Sequence, residues 1–214
     1  RARGKYSCIG QSRTSSENHM TEKTGERKDQ ILQTLAQMLE NPAGEKATTA
    51  ALAARIKVSE AALYRHFKGK AEMFEGLIEF IEQTLFGLIN KITSEEKSGV
   101  RQVEGIIAVL LAFAQKNRGM TRVLIGDALV NEDDRLQSRI NQLHDRLEAA
   151  LKQALRFGVS QKEIAQEVDI AAQANLIMSF VTGRWHQFAK SGFKRDPAEL
   201  WPKQWRQLME GVLA

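Results

Sequence analysis

Side chains able to recognise DNA follow one another closely between residues 48 and 70 of this 214-residue chain. Arg65 carries a guanidinium that can bind a guanine edge through two hydrogen bonds, and Ala61 and Ala62 are small enough to approach a thymine methyl. The hydroxyl, imidazole and ammonium groups around them can contact phosphates, which position a protein without reading sequence. We therefore predict a major-groove surface. Its members are Thr48, Thr49, Ser59, Ala61, Ala62, Tyr64, Arg65, His66, Lys68 and Lys70.

Two short helices would position these side chains. Leu52, Ala53 and Ile56 form an apolar stripe at helical spacing, and Leu63 with Phe67 forms a second stripe after a turn of two residues. Two such small helices must bury against each other, which is the helix-turn-helix arrangement. Each residue advances about 100° around a helix, so Ala61 and Arg65 should point away from the buried side of the second helix, with Ala62 and Lys68 on the shoulders of this outer face.

The ends of both helices carry their own signals. Thr48 or Thr49 is predicted to cap the first helix, where hydroxyl and backbone N–H would also be offered to a phosphate. Ser59 is the predicted cap of the second helix, and Gly69 its predicted end. In a competing interpretation, Tyr64 and His66 of the second helix pack against the protein core, and the lysines only form a solvent-exposed face.

The remaining sequence predicts more helices. The chain has only three prolines and few β-branched alternations, so we predict an all-α fold with an N-terminal three-helix helix-turn-helix domain (20–70) and a C-terminal helical dimerisation and regulatory domain (71–214). Helices are predicted over 26–40, 71–92, 102–117, 133–157, 170–189 and 198–213, with short ones within 120–130 and breaks at 41–44 and 158–160.

Residues 1–19 are predicted to be a vector-derived or disordered leader. They lack helical periodicity, and His19-Met20 is a common cloning junction, so Met20 is the expected native start. A secretory signal is the competing interpretation, but the segment has no apolar core. Residues 20–70 carry nine basic and six acidic residues, whereas 71–214 carry 18 and 19. The positive charge therefore lies in the predicted DNA-binding domain.

Composition and spacing argue against an enzyme, a metalloprotein and a membrane protein. His66, His144 and His186 are scattered without catalytic or metal-binding spacing, and no glycine-rich phosphate loop occurs. The acidic residues 132–134 suit a helix N-terminus, which favours negative charge. Cys8 is the single cysteine, and no run approaches the roughly 20 apolar residues that span a bilayer. We predict a cytoplasmic protein without catalytic residues, cofactor or metal.

The chain also resembles a known family. The DNA-binding segment, with Thr48-Thr49, Val58-Ser59, LYRHF, Lys70 and Phe74, resembles TetR-family regulators. The segments MFEGLIEFIEQTL, INKI, KNRGMTRVLIGDALVNEDDRLQSRINQL and FKRDPAELWP narrow the resemblance to the nucleoid occlusion factors of that family, more loosely over 157–190. Lys57 departs from the family, which usually carries glycine in this turn. If its φ is positive, lysine should cost on the order of 1 kcal/mol.

The resemblance implies a homodimer that binds a double-stranded DNA palindrome, with one or two dimers per site left open. The apolar helices 170–189 and 198–213 would then form a four-helix bundle with a second subunit. Ordinary core packing is the competing explanation of their apolar stripes. The predicted interface residues are Ile177, Val181, Trp185, Trp201 and Trp205.

The resemblance also implies a protein partner on the nucleoid. Nucleoid occlusion factors are expected to antagonise FtsZ, a tubulin-like division GTPase, by binding its C-terminal tail. Phe80, Glu82, Lys116 and Asn117 match the tail-binding positions, while Leu88 stands where an arginine is expected. A core position for Phe80 is the competing interpretation. The alternative function is a ligand-gated repressor with a small-molecule pocket in the C-terminal domain.

Overall fold

The computed structural model of the chain describes residues 14–41 and 47–214, and every regular element within these ranges is a helix. The α-helices of this part are α1 (Thr14–Leu39), α2 (Thr49–Arg55), α3 (Glu60–Tyr64), α4 (Lys70–Glu95), α5 (Gly99–Lys116), α6 (Arg118–Leu124), α7 (Asp134–Ser160), α8 (Ile170–Lys190) and α9 (Trp201–Leu208). A short 3-10 helix, Asp127–Leu129, lies between α6 and α7. The predicted all-α fold is confirmed.

Several predicted helix ends are wrong, and the last helix, predicted over 198–213, is observed only over Trp201–Leu208. The second helix of the motif, α3, ends at Tyr64 rather than at Gly69, because the chain turns there to bring Phe67 into the core. Gly69 has an extended backbone (φ 176°) and directly precedes α4. The predicted break at 158–160 instead belongs to α7, where Gly158 lies so close to α5 that a Cβ on Gly99 would come within 2.1 Å of the Gly158 nitrogen.

The start of α1 does not coincide with the predicted end of the leader. The helix begins at Thr14 and continues past Met20 to Leu39, followed by a turn at Glu40. Residues 1–13 lie outside the described part of the chain. The predicted break at 41–44 also falls largely on residues 42–46, which are outside it too.

Helices α1, α2 and α3 form the N-terminal unit. Ile31 and Leu35 of α1 are buried together with Leu52 of α2, and Leu63 of α3 and Phe67 complete this part of the core. The predicted inner faces of the two motif helices are therefore confirmed. Burying both stripes against α1 holds the opposite side of α3 in solvent.

Helices α4, α5, α7 and α8 form a bundle around the larger part of the core. Ile177, Val181 and Trp185 of α8 are 0% exposed, and the indole Nε1 of Trp185 donates to the carbonyl of Leu110, 3.0 Å away. A side chain without exposed area in one chain has none to bury against a second chain. The prediction that these three residues form the dimer interface is therefore wrong, and core packing explains them.

The N-terminal unit and the bundle share one continuous hydrophobic cluster. Helix α1 packs on α6, and a Cβ on Gly119 of α6 would lie 1.9 Å from the carbonyl oxygen of Ala36 in α1. The two predicted domains, 20–70 and 71–214, are thus joined through a packed interface and not by a linker alone. Among the described helices, none has the length and apolar character needed to cross a membrane.

Candidate nucleic-acid interface

The outer face of α3 is the centre of the candidate DNA-binding surface. Ser59 caps the helix by accepting a hydrogen bond from the Ala62 backbone N–H, 3.2 Å away, as predicted. Ala61 and Arg65 are exposed, and Tyr64 is 47% exposed. This geometry presents a guanidinium next to a small residue at the helix surface, which is what a base edge in a major groove requires.

Two threonines at the start of α2 have different roles, and the second connects α2 to α3. Thr48 is the cap of α2, and its hydroxyl oxygen accepts from the Ala51 N–H at 3.1 Å. The Thr49 hydroxyl donates to the carboxylate of Glu60 at 2.9 Å and accepts from the Tyr64 hydroxyl at 3.5 Å. These contacts fix the angle between the two helices and hold the tyrosine ring beside the N-terminus of α2.

The half-buried imidazole of His66 lines a cleft of about 150 Å³ between α1 and the motif helices. Its Nδ1 is buried and has no hydrogen-bond partner within the described residues. Arg27 of α1 and Arg65 line the same cleft. Sequence reasoning did not single out Arg27, although a basic residue one turn before the buried Ile31 was a usable signal.

The two lysines after α3 are in different surroundings. Lys68 is exposed, and its backbone N–H donates to the carboxylate of Glu72. The ammonium group of Lys70 is paired with Glu132, which precedes α7, and lies 5.6 Å from the centre of the Phe74 ring. A phosphate contact by Lys70 would require this ion pair to open, whereas Lys68 is available without rearrangement.

The turn between α2 and α3 has the backbone conformation that glycine favours. Lys57 has a φ of 56°, and its side chain is exposed. A lysine in this left-handed region is strained by roughly 1 kcal/mol. Lys57 therefore stands, with a positive φ, at the position where the family usually carries glycine.

The four predicted partner-binding residues are not gathered in one cleft. Phe80 is 47% exposed and lines a cleft of about 440 Å³ between α1 and α4. Lys116 and Asn117 line another, of about 180 Å³, between α1 and the junction of α5 with α6. The Glu82 carboxylate is held from α7 by Arg139 at 3.1 Å and by a second arginine.

The acidic run before α7 serves the helix. Asp133 caps α7 by accepting from the Arg135 backbone N–H at 3.0 Å. Its side-chain and backbone hydrogen bonds with Arg135 lower the pKa of this carboxyl to about 2. Within residues 14–41 and 47–214, no group of three or more histidine, cysteine or acidic side chains is arranged to hold a metal ion.

Known structures with the same arrangement of helices are TetR-type transcription regulators. One from Haloarcula marismortui has a TM-score of 0.74 at 14% identity, covering 89% of this chain and all of the other. One from Agrobacterium tumefaciens has a TM-score of 0.73 at 16% identity, with the same coverages. At sequence identities this low, the similarity is evidence for a shared fold alone. The fold that this chain shares with them is that of the TetR-type helix-turn-helix regulators.

Sequence comparison narrows the class. Residues 31–77 match the model of bacterial regulatory proteins of the tetR family, and residues 97–212 match a SlmA-like tetracycline repressor-like C-terminal domain. The nucleoid occlusion factor SlmA of Marinomonas sp. is 46% identical over 91% of this chain and 98% of its own length. That of Idiomarina loihiensis is 49% identical with the same coverages. The chain therefore belongs to the SlmA family of nucleoid occlusion factors.

Proposed function

We propose that a dimer of this chain binds a chromosomal palindrome and antagonises assembly of the division GTPase FtsZ, so that no septum forms over the nucleoid. The DNA-binding half of this function is carried by one observation: α3 buries Leu63, while Ala61 on its other side and Arg65 at its C-terminal cap are exposed. The second half is supported by membership of the nucleoid occlusion family. The chain would act on the nucleoid, within the cytoplasm.

At the DNA end, Arg65 would read a guanine and the alanines of α3 would allow close approach. Phosphates would be bound by Thr48 and Thr49 at the start of α2 and by Tyr64 and Lys68 beside α3. The half-buried His66 would support the recognition helix α3 rather than reach a phosphate. These roles separate base reading from positioning, which makes them testable one by one.

The dimer would form through α8 and α9. Leu176 of α8 is 53% exposed, and Leu200, which precedes α9, is 46% exposed. Trp201 packs against Phe180 and Trp205, with ring centres 6.0 and 5.5 Å apart, and both tryptophans remain half-buried. An apolar surface of this kind suits a self-complementary contact between two copies. A palindrome would then match the two-fold axis of the dimer.

At the partner end, the exposed ring of Phe80 and the exposed ammonium of Lys116 are the proposed contacts for the FtsZ tail. Asn117 lies beside Lys116, and its amide donates to the Phe113 carbonyl at 2.8 Å. The carboxylate of Glu82 is already satisfied by two arginines, so we propose that it holds α4 against α7 rather than binding the tail.

Sedimentation of GTP-assembled FtsZ tests this function. The purified chain is added with a palindrome selected from random oligonucleotides, with a scrambled duplex, or without DNA. We expect polymer to disappear from the pellet only with the selected palindrome. Phe80→Ser and Lys116→Ala should abolish the effect while DNA binding persists. Val130→Ser, which alters a 67% exposed apolar residue before α7, is the matched control and should behave like the parent chain.

Each outcome of this experiment has a definite meaning. Unchanged polymer with the selected palindrome would contradict the FtsZ proposal and leave a DNA-binding regulator whose effector is a small molecule. Equal loss of polymer with all three DNA conditions would contradict activation by specific DNA. Loss of polymer that survives both partner-site variants would contradict the assignment of those residues.

A further inference from the structure

The C-terminal end of α1 is pressed onto the N-terminal turn of α6. At Gly119, any larger residue would place its Cβ 1.9 Å from the carbonyl oxygen of Ala36. The contact therefore admits no side chain between the two backbones. Since α1 also carries the residues that bury α2 and α3, a change in its angle on α6 would move the whole N-terminal unit.

Arg122 of α6 fastens this contact. Its Nη1 donates to the carbonyl oxygen of Leu39 at 3.0 Å, and its Nε donates to the Asp127 carboxylate at 2.7 Å. Leu39 is the last residue of α1, so its carbonyl has no partner within the helix. Only 17% of the arginine side chain and 23% of the aspartate side chain are exposed. The guanidinium thus closes the end of α1.

The connection continues to the end of α8. The second carboxylate oxygen of Asp127 accepts from the ammonium of Lys190, the last residue of α8. Burial by itself would raise the pKa of Asp127, but the hydrogen bonds from Lys190 and Arg122 outweigh it and leave this pKa below the ordinary value. The carboxylate is therefore charged under ordinary conditions. A polar chain joins the end of α1 to the end of the proposed dimerisation helix.

We propose that Arg122 is a positioning residue that fixes the angle of the N-terminal unit on the bundle, and so selects the half-site spacing that the dimer accepts. This rests on the proposed function, in which a dimer binds a palindrome. Two recognition helices read half-sites about 34 Å apart, one turn of DNA. A guanidinium bonds both partners at once because its donors have a fixed planar geometry, which a single ammonium cannot reproduce.

Two measurements on Arg122→Gln test the proposal. The first compares affinity for the selected palindrome with affinity for versions lengthened or shortened by one and two base pairs at the centre. The parent should bind the selected palindrome much more tightly than the versions of altered length. In the variant this ratio of affinities should fall about tenfold, while base preference within a half-site stays unchanged. Arg135→Gln is the matched control, since Arg135 is exposed and pairs only with Asp133 among the residues described. It should discriminate like the parent.

The second measurement needs no DNA. In a Cys8→Ser background, a spin label at Arg55→Cys in each protomer reports the distance between the two N-terminal units by pulsed electron paramagnetic resonance. The distribution should be narrow in the parent and broader in Arg122→Gln. Asp127→Asn, which keeps the Leu39 contact possible, should broaden it less and serves as the second variant if Arg122→Gln does not fold.

Failure of this proposal is distinguishable from failure of the proposed function. An unchanged width of the distance distribution would overturn the positioning role, whatever the DNA or FtsZ results. A broader distribution with unchanged spacing discrimination would overturn the link to site selection. Loss of FtsZ antagonism alone would leave both readouts intact and concern only the partner.

Discussion

At the residue scale, Arg65 and Lys68 give two different predictions. Arg65 is exposed directly after α3, where a guanidinium can discriminate bases, so Arg65→Ala should relax preference at one base pair and cost about 1–3 kcal/mol of discrimination. Lys68 follows the helix and would contact a phosphate. Lys68→Ala should weaken binding to all sequences alike and lower the slope of log affinity against log salt by about one.

Fluorescence anisotropy on a panel of single-base variants of the palindrome, at several salt concentrations, separates the two roles. A similar loss of affinity in both variants, with base preference intact, would contradict the two roles assigned to Arg65 and Lys68. Lys70, which sequence reasoning placed with Lys68, is the less suitable probe, because replacing it also removes its ion pair with Glu132.

Lys57 and Lys162 form a natural pair for measuring backbone strain. Both are exposed lysines with positive φ, 56° and 60°, but Lys57 lies beside the DNA surface and Lys162 follows α7. Replacement by glycine should stabilise each site by about 0.5–1 kcal/mol, the relief of left-handed strain less the entropy that glycine adds to the unfolded chain. Chemical denaturation at fixed protein concentration measures the gain.

The same pair tests whether Lys57 contacts DNA. Lys57→Gly should reduce the salt dependence of DNA binding, whereas Lys162→Gly should leave it unchanged. If both variants keep the parent's salt dependence, Lys57 has no phosphate contact and its strain is uncompensated.

At the scale of elements, α8 has two different apolar faces. One face, with Val181 and Trp185, is buried in the chain's own core, while Leu176 of the same helix is 53% exposed. Leu176→Glu should therefore convert the dimer to a monomer without unfolding it, because a charge would be buried in the proposed interface. Sedimentation equilibrium measures the change in mass.

Leu88→Glu is the matched control for this prediction. Leu88 is 43% exposed, so it resembles Leu176 in size and exposure, but it belongs to α4, which packs on α5 and α7. The control should remain a dimer. Dissociation of both variants, or of neither, would place the dimer contact elsewhere.

At the scale of the whole molecule, a histidine buried in the bundle couples stability to pH. His144 of α7 lies with its ring centre 5.8 Å from that of Trp185, and its Nε2 has no hydrogen-bond partner among the described residues. Burial lowers the pKa of His144 below its ordinary value near 6.5. The folded state therefore keeps the ring neutral where the unfolded state already binds a proton.

This linkage has a definite sign. Stability from the neutral ring is fully present above pH 6.5, and falls as the pH drops from there through the lower folded-state pKa. Unfolding free energies at pH 7.5, 6.5 and 5.5 should show a smaller acid loss in His144→Phe than in the parent. His186→Gln, at an exposed position on α8, should reduce the acid loss only slightly, because the charge of His186 is the smaller of the two causes that lower the pKa of His144. An identical pH dependence in His144→Phe would contradict the assignment.

The sequence by itself determined the helical fold, the two motif helices and their caps. Periodic apolar residues such as Leu52 and Leu63 allow only one side of each helix to be buried, and capping by Thr48 and Ser59 is local chemistry that spacing reveals. The candidate DNA surface followed, because the outward side of a short helix is fixed once its inward side is known.

Only the tertiary structure decided which apolar stripe belongs to the core and which polar groups are already paired. Trp185 and Trp201 read alike in sequence, yet the first has no exposed area and the second is half-buried. Lys70 is paired with Glu132, 62 positions away, and Arg122 with the end of α1, 83 positions away. Periodicity describes one helix at a time, whereas burial and ion pairing depend on which distant helices meet.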